Sequence, residues 1–457
     1  MSQTTHTRPG KKSKDEALPD PYTPGHGQAG YVVAHYDLEL DIRLASNRLS
    51  GRARLRSTAR DRLETIVLSL AGLRATKVQV NGAKPAKTSQ RADELRITPS
   101  APIAKGQDFH LEIRYEGNPE PVDGLWGEVG WEELSDGVLV SGQPVGAPTW
   151  FPCNDHPSQK STFRITATAD AGYRVVSNGL LVGHRRKASR ETWAYEVHEP
   201  MAPYLATLVI GSYQFLELGR VRAHGSPAVG VFAAVPPALR GAALTGLRDQ
   251  VRMIELFAEL FGPYPFRDYT VVVTDDPLEI PLEAQTLSIV GRNHITRSWE
   301  SQRLLAHELA HQWFGNSVTA RRWEDIWLHE GFACYAEWLW SEHSGQGAAA
   351  ARAADAWRLL SAQKEDILVG APGPELMFDD RVYKRGALAL HAVRRAVGDD
   401  RFFRALAAFG SERRHGNATT ADFTELLGRV GAGARGFRAE DLLGPWLFER
   451  ALPPLPR

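Results

Sequence analysis

The chain has 457 residues, 43% hydrophobic and 24% charged, which excludes a disordered polymer and leaves room for two or three domains with substantial cores. Lysine plus arginine equals aspartate plus glutamate at 54 each, so nothing in the overall charge points to nucleic acid or an anionic membrane as partner. The two cysteines, Cys153 and Cys334, stand far apart and outside any CxxC pair, so neither a disulfide framework nor a thiolate metal site is indicated.

Residues 1–29 run from Met1 through Lys11-Lys12-Ser13-Lys14 to Pro24-Gly25-His26-Gly27 and are polar and rich in proline and glycine. The expectation there is a disordered N-terminal tail. This stretch has no apolar core of a signal peptide, and nowhere does the chain offer about 18 consecutive apolar residues for a membrane span. A cytoplasmic protein without membrane contact is expected.

From Asp37 to Leu44 the sequence alternates, with Leu38, Leu40, Ile42 and Leu44 on one side and Asp37, Glu39, Asp41 and Arg43 on the other, which predicts a half-buried strand. The same period returns at Phe109–Tyr115 and more loosely at Phe163–Ala167, with Asn81-Gly82 and Asn178-Gly179 as turn signals. Residues 30–214 are therefore expected to form an antiparallel β saddle or sandwich. After Gly211 the pattern turns helical, beginning with Leu239–Phe261 and ending at Gly262-Pro263. A short strand is expected at Tyr269–Val273, then a loop from Asp275-Asp276-Pro277, then Ile280–Gln285 and a second apolar stretch, Leu287–Val290. Residues 215–457 are expected to be a mainly α-helical catalytic domain, giving an α+β protein overall.

The chemistry concentrates in His307-Glu308-Leu309-Ala310-His311 and in Glu330. Positions four apart on a helix share a face, so His307 and His311 can present two imidazole nitrogens to one zinc ion. A carboxylate from Glu330, on a second helical pattern, completes a His2Glu set and leaves a fourth position for water. Glu308 lies beside that set but off the ligand face, where it can act as general base. A lone HExxH also arises by chance on surface helices. Here Leu305, Leu309 and Trp313 recur at i, i+4 as an apolar stripe, and Gly315 is a helix-stop signal. The longer metzincin pattern is excluded, because Phe314 and Ser317 stand where its glycine and third histidine belong. Cys334, one turn beyond Glu330, reads as a small buried hydrophobe.

At these residues the chain resembles the aminopeptidase N family of gluzincin zinc peptidases, which also includes leukotriene hydrolase. The spacing of HExxH, eighteen residues and Glu is the family's, as are His311-Gln312-Trp313-Phe314-Gly315-Asn316 and Val318-Thr319. Upstream, Phe151-Pro152-Cys153-Asn154-Asp155-His156-Pro157 looks like the family's PCxDxP stretch, and Pro203-Tyr204-Leu205 is similar as well. The resemblance implies a saddle-shaped β domain leading into a thermolysin-like domain. It also implies three roles. Glu283 matches the glutamate of the GAMEN motif that binds the substrate's α-amine, although here its surroundings are Ile280-Pro281-Leu282-Glu283-Ala284. Tyr383, in Val382-Tyr383-Lys384-Arg385-Gly386-Ala387, matches a tyrosine that stabilises the tetrahedral intermediate. Gln143 resembles a glutamine that helps bind the amino end. His329 stands where the family has asparagine and is either a hydrogen-bonding neighbour of the site or a packed histidine; Asp325 and Glu337 are candidate partners for the ligands' outer atoms. Full-length relatives continue into a helical C-terminal domain, and this sequence is expected to be a short form lacking it, with a more open cleft.

The resulting expectation is a zinc aminopeptidase with one Zn2+ per chain, acting on peptides with a free N-terminus. Two other readings stay open, a gluzincin endopeptidase in which Glu283 has no amine to hold, and a peptide-binding scaffold without turnover.

Overall fold

The computed structural model describes residues 19–222, 228–431, 433–434 and 436–456. The alternating segments form the strands expected of them. Tyr31–Arg43 buries Leu38, Leu40 and Ile42, and Asp108–Gly117 buries Phe109, Leu111, Ile113 and Tyr115, because period-two side chains all fall on one face. These strands belong to a seven-stranded sheet in which Tyr31–Arg43 pairs antiparallel with Arg48–Ala59 and parallel with Ser161–Asp170. A five-stranded sheet that includes Gly127–Leu134 and Gly137–Ser141 shares its core with the larger sheet. Tyr36 marks the join, stacked on Phe163 at 4.8 Å and edge-on to Phe151 at 5.6 Å. The Asn81-Gly82 turn is tight, with φ of 50° and 79°, which explains the Asn-Gly pair there.

The switch to helices after Gly211 does not occur where the pattern placed it. Gln214–Val221 and Val229–Val235 are strands, joined to Asp268–Thr274, Leu287–Gly291 and Leu282–Ala284 in a second five-stranded sheet. Three of these strands run parallel to one another. Val229–Val235 was missed because a strand covered on both faces shows a continuous apolar run rather than alternation. Helices follow, and Gln250–Phe261, Trp299–Ala310, Trp327–His343 and Asp380–Val397 form the frame of the second half. Gly331 and Gly386 let two of them touch, since a Cβ on Gly331 would lie 2.9 Å from the Cα of Gly386.

The expected N-terminal tail differs from the structure in part. Residues 1–18 lie outside the described residues, but beyond them the chain is anchored. Buried Asp20 accepts from the backbone N–H of Trp323 at 2.6 Å, the Tyr22 hydroxyl accepts from the N–H of Gly373 at 2.8 Å, and His26 meets Asp155 at 2.9 Å. Composition cannot reveal this, because the strap is held by a few polar contacts and the one buried ring of Tyr22 rather than by a periodic apolar face. Lys160 makes a second tie between the halves, donating to the carbonyls of Asn316, Ser317 and Gly416 at 2.8–3.1 Å. No helix among the described residues is long and apolar enough to cross a membrane.

Candidate active site

The helix Trp299–Ala310 begins at Ser298, whose side chain accepts from the N–H of Ser301, and buries Leu305 and Leu309. It ends at Ala310, earlier than Gly315 suggested, with His311 as its C-terminal cap residue still in helical backbone geometry. His307 and His311 therefore remain one turn apart on one face, with ring centroids 4.8 Å apart. Glu330 comes from the first turn of Trp327–His343, where the positive end of the helix dipole favours a carboxylate.

The donor atoms converge. Glu330 Oε2 lies 3.3 Å from His307 Nε2 and 3.5 Å from His311 Nε2. Two donors bound at about 2.0–2.1 Å to a tetrahedral centre stand about 3.3–3.4 Å apart, so the trio fits a zinc ion. The outer nitrogens agree with this. His307 Nδ1 is 2.8 Å from Glu337 Oε1, and His311 Nδ1 is 3.1 Å from the carbonyl of Phe314, so each ring donates outward and turns its Nε2 lone pair inward. Arg303 in turn holds the second oxygen of Glu337 at 3.3 Å.

Glu308 is buried with Oε2 lacking a partner among the described residues, and ligand atoms of Glu283, Glu308 and His311 lie within 4.8 Å of one another. Burial pushes the Glu308 carboxyl up to about 7, against the opposing pull of His307 and His311. Tyr383 stacks on His307 at 5.9 Å, brought there by the Gly331–Gly386 contact. Burial, with the negative charges of Glu330, Glu283 and Glu308, raises its phenol well above the ordinary value, so the hydroxyl keeps its proton. Glu283 sits on the edge strand Leu282–Ala284, and burial raises its carboxyl as well. Its Oε1 and Gln143 Nε2 are both buried without partners among the described residues, and both side chains line the cleft with the histidines.

All seven residues expected to act together are thus gathered in one cleft. Of the neighbours considered beside them, Glu337 contacts a candidate ligand. Asp325 does not; it holds the start of the helix Thr420–Gly431 through the N–H and hydroxyl of Thr420 at 2.9 and 2.6 Å. His329 is a packed histidine, accepting from the N–H of Ala320 at 2.7 Å. Two residues inside the HQWFGN stretch were not singled out. Gln312 accepts from the N–H of Thr286 at 2.9 Å and donates to the carbonyl of Ala284 at 3.0 Å, which Asn316 also reaches at 3.0 Å. They fasten the strand carrying Glu283 to the end of the histidine helix. Their trace in the sequence is the pair of amides within the His311–Asn316 stretch that carries the family resemblance.

Residues 246–446 match the Peptidase family M1 domain and residues 32–205 the Peptidase M1 N-terminal domain. The crystal structure of an M1 zinc metallopeptidase from Deinococcus radiodurans is similar over 98% of this chain and 100% of that one, with 32% identity and a TM-score of 0.87. A mutant of that metallopeptidase bound to a Tyr-Ser-Ala substrate aligns equally well, at 31% identity and a TM-score of 0.87. A leucyl aminopeptidase of Saccharolobus solfataricus is 24% identical over 446 residues, covering 92% of this chain and 54% of the relative. The chain spans about half the length of the curated relatives it matches.

Proposed function

The chain belongs to peptidase family M1, and from that premise we propose that it is a zinc-dependent aminopeptidase that binds one zinc ion through His307, His311 and Glu330 and removes the first residue of peptides. The observation that carries the exopeptidase reading is Glu283, a half-buried residue whose carboxylate Oε1 is itself buried and unpartnered among the described residues, within reach of the histidine and base that flank the reaction. A peptide's α-amine has a pKa near about 8 and is mostly protonated at neutral pH, so it supplies the charge this carboxylate lacks. Gln143 offers a second contact to the same end of the substrate.

His307, His311 and Glu330 would hold the zinc ion, which would supply Lewis acidity to the scissile carbonyl and to water. Glu308 takes the proton of the attacking water and passes it to the departing amine, and the burial that raises its carboxyl makes it a stronger base. The Tyr383 hydroxyl donates to the oxygen of the attacked carbonyl as charge builds on it. Glu283 sets the register, so that the first peptide bond, and no later one, meets these groups.

The test is a series of peptides with free and acetylated N-termini, assayed on the zinc-loaded protein. Acetylation leaves Glu283 desolvated without its partner, which typically costs about 3–5 kcal/mol, or about 10²–10³·⁶-fold in kcat/KM. Glu283→Ala should slow cleavage of free peptides and narrow the gap to acetylated ones. Equal cleavage of both forms by the wild-type protein would replace this reading with an endopeptidase.

A further inference from the structure

A second cavity, of about 990 Å³, adjoins the histidine cleft at Glu283. It shares Gln143, Glu283 and Tyr383 with the cleft around the histidines, but neither histidine nor Glu330 borders it. A substrate residue whose amine rests on Glu283 and whose carbonyl faces the histidines spans this shared border. Its side chain springs from the same Cα as the amine, so the second cavity is the space nearest to it, while the remaining peptide departs past the histidine helix.

The charges of the two spaces differ. Arg303, Arg352 and Lys384 line the cleft around the histidines, whereas among the described residues no lysine, arginine or histidine lines the second cavity and seven carboxylates do. Asp379 is paired with Arg381 and Asp380 with Lys384. Glu128, Glu132, Glu279 and Glu375 have no hydrogen-bond or ion-pair partner among the described residues, and Glu283 keeps an unpartnered buried oxygen at the shared border. Glu128 and Glu132 stand four apart on the strand Gly127–Leu134 and so project from the same face. Burial and the charge of Glu128 raise the Glu132 carboxyl, a sign that this wall is short of positive charge.

The cavity is shaped as well as charged. Trp126 is fixed by a 2.8 Å hydrogen bond from its indole N–H to the carbonyl of Pro374 and meets Phe378 edge-on at 6.3 Å, so both rings border the space in set orientations. Leu278, Ile280 and Leu282 add accessible aliphatic surface. Aromatic faces and aliphatic walls suit the stem of a long basic side chain, and a guanidinium or ammonium gains from both ring and carboxylate.

We propose that this cavity receives the side chain of the substrate's first residue and selects arginine or lysine there, with Glu132 and Glu128 as the carboxylates that recognise the charge. The inference rests on the aminopeptidase reading, and its test separates the two. Arginyl and citrullinyl arylamides have nearly the same shape and differ in charge. The zinc-loaded protein should favour arginine by about 10–100-fold in kcat/KM, the range of a hydrogen bond to a charged group. Glu132→Gln, and independently Glu128→Gln, should lower that arginine-to-citrulline ratio by about tenfold, and Glu132→Lys should invert it. Equal kcat/KM for the two substrates, or a ratio that neither glutamine variant moves, overturns the proposal. If no free-amine substrate is cleaved at all, the aminopeptidase reading fails by itself. Titration calorimetry with argininamide and citrullinamide then judges the cavity, and equal affinities overturn it.

Discussion

On the side of the cleft that carries the histidines, the outer atoms are already tied down: His307 to Glu337, His311 to Phe314, and Glu337 to Arg303. On the side that carries Glu283 the supports are just as firm, through Gln312 and Asn316, but the working atoms Glu283 Oε1 and Gln143 Nε2 are buried and unpartnered. The first wall is organised to hold a group that stays; the second has unmet polar atoms that a substrate arriving each turnover can satisfy. An unsatisfied buried polar group costs about 1–3 kcal/mol in the free protein and returns that free energy on binding. Substitutions on the two walls should therefore fail in different ways.

The largest effects belong to the histidine wall and divide it further. His311→Ala should lose the metal, and with it all measurable turnover. Glu308→Gln should keep the metal, because the amide retains shape and charge is not needed for ligation, yet turnover should fall by about 10²–10⁴-fold as the base is lost. Metal analysis beside activity checks both, and a Glu308→Gln protein as empty as His311→Ala would remove the distinction between ligand and base.

Tyr383 tests the border between the walls. Tyr383→Phe keeps the stack on His307 and removes the hydroxyl, so kcat and kcat/KM should fall together by about 10²–10³-fold while metal content is unchanged. A change confined to KM would move Tyr383 from the reaction to ground-state binding.

The smallest expected effect sharpens the comparison from the other wall. Gln312→Ala orphans the buried N–H of Thr286 and leaves the carbonyl of Ala284 to Asn316 alone, which should lower stability by about 1–3 kcal/mol. Because the strand bearing Glu283 is loosened while the ligands are not, discrimination between free and acetylated peptides should shrink by about tenfold at unchanged metal content. Thermal unfolding, metal analysis and the paired-peptide assay read the three quantities separately. Metal loss in this variant would show that the two walls are not independent.

The local parts were legible in the residues themselves. Alternation around Leu38 and Leu40 specifies a strand because one face is wet, and His307 and His311 four apart specify a shared helical face, since both are periodicities of the backbone. Tertiary structure alone decided what those periods cannot encode. It revealed Val229–Val235 as a covered strand, turned Asp20 and Tyr22 from tail into strap, and gave Glu337 the outer nitrogen of His307 while Asp325 went to Thr420. It also set the acidic cavity beside Glu283, from residues that are scattered between Leu125 and Tyr383 in the chain. Pairings of this kind depend on which surfaces meet after the sheets and helices pack, and the Gly331–Gly386 contact that brings Tyr383 to His307 exists only once two helices have closed on each other.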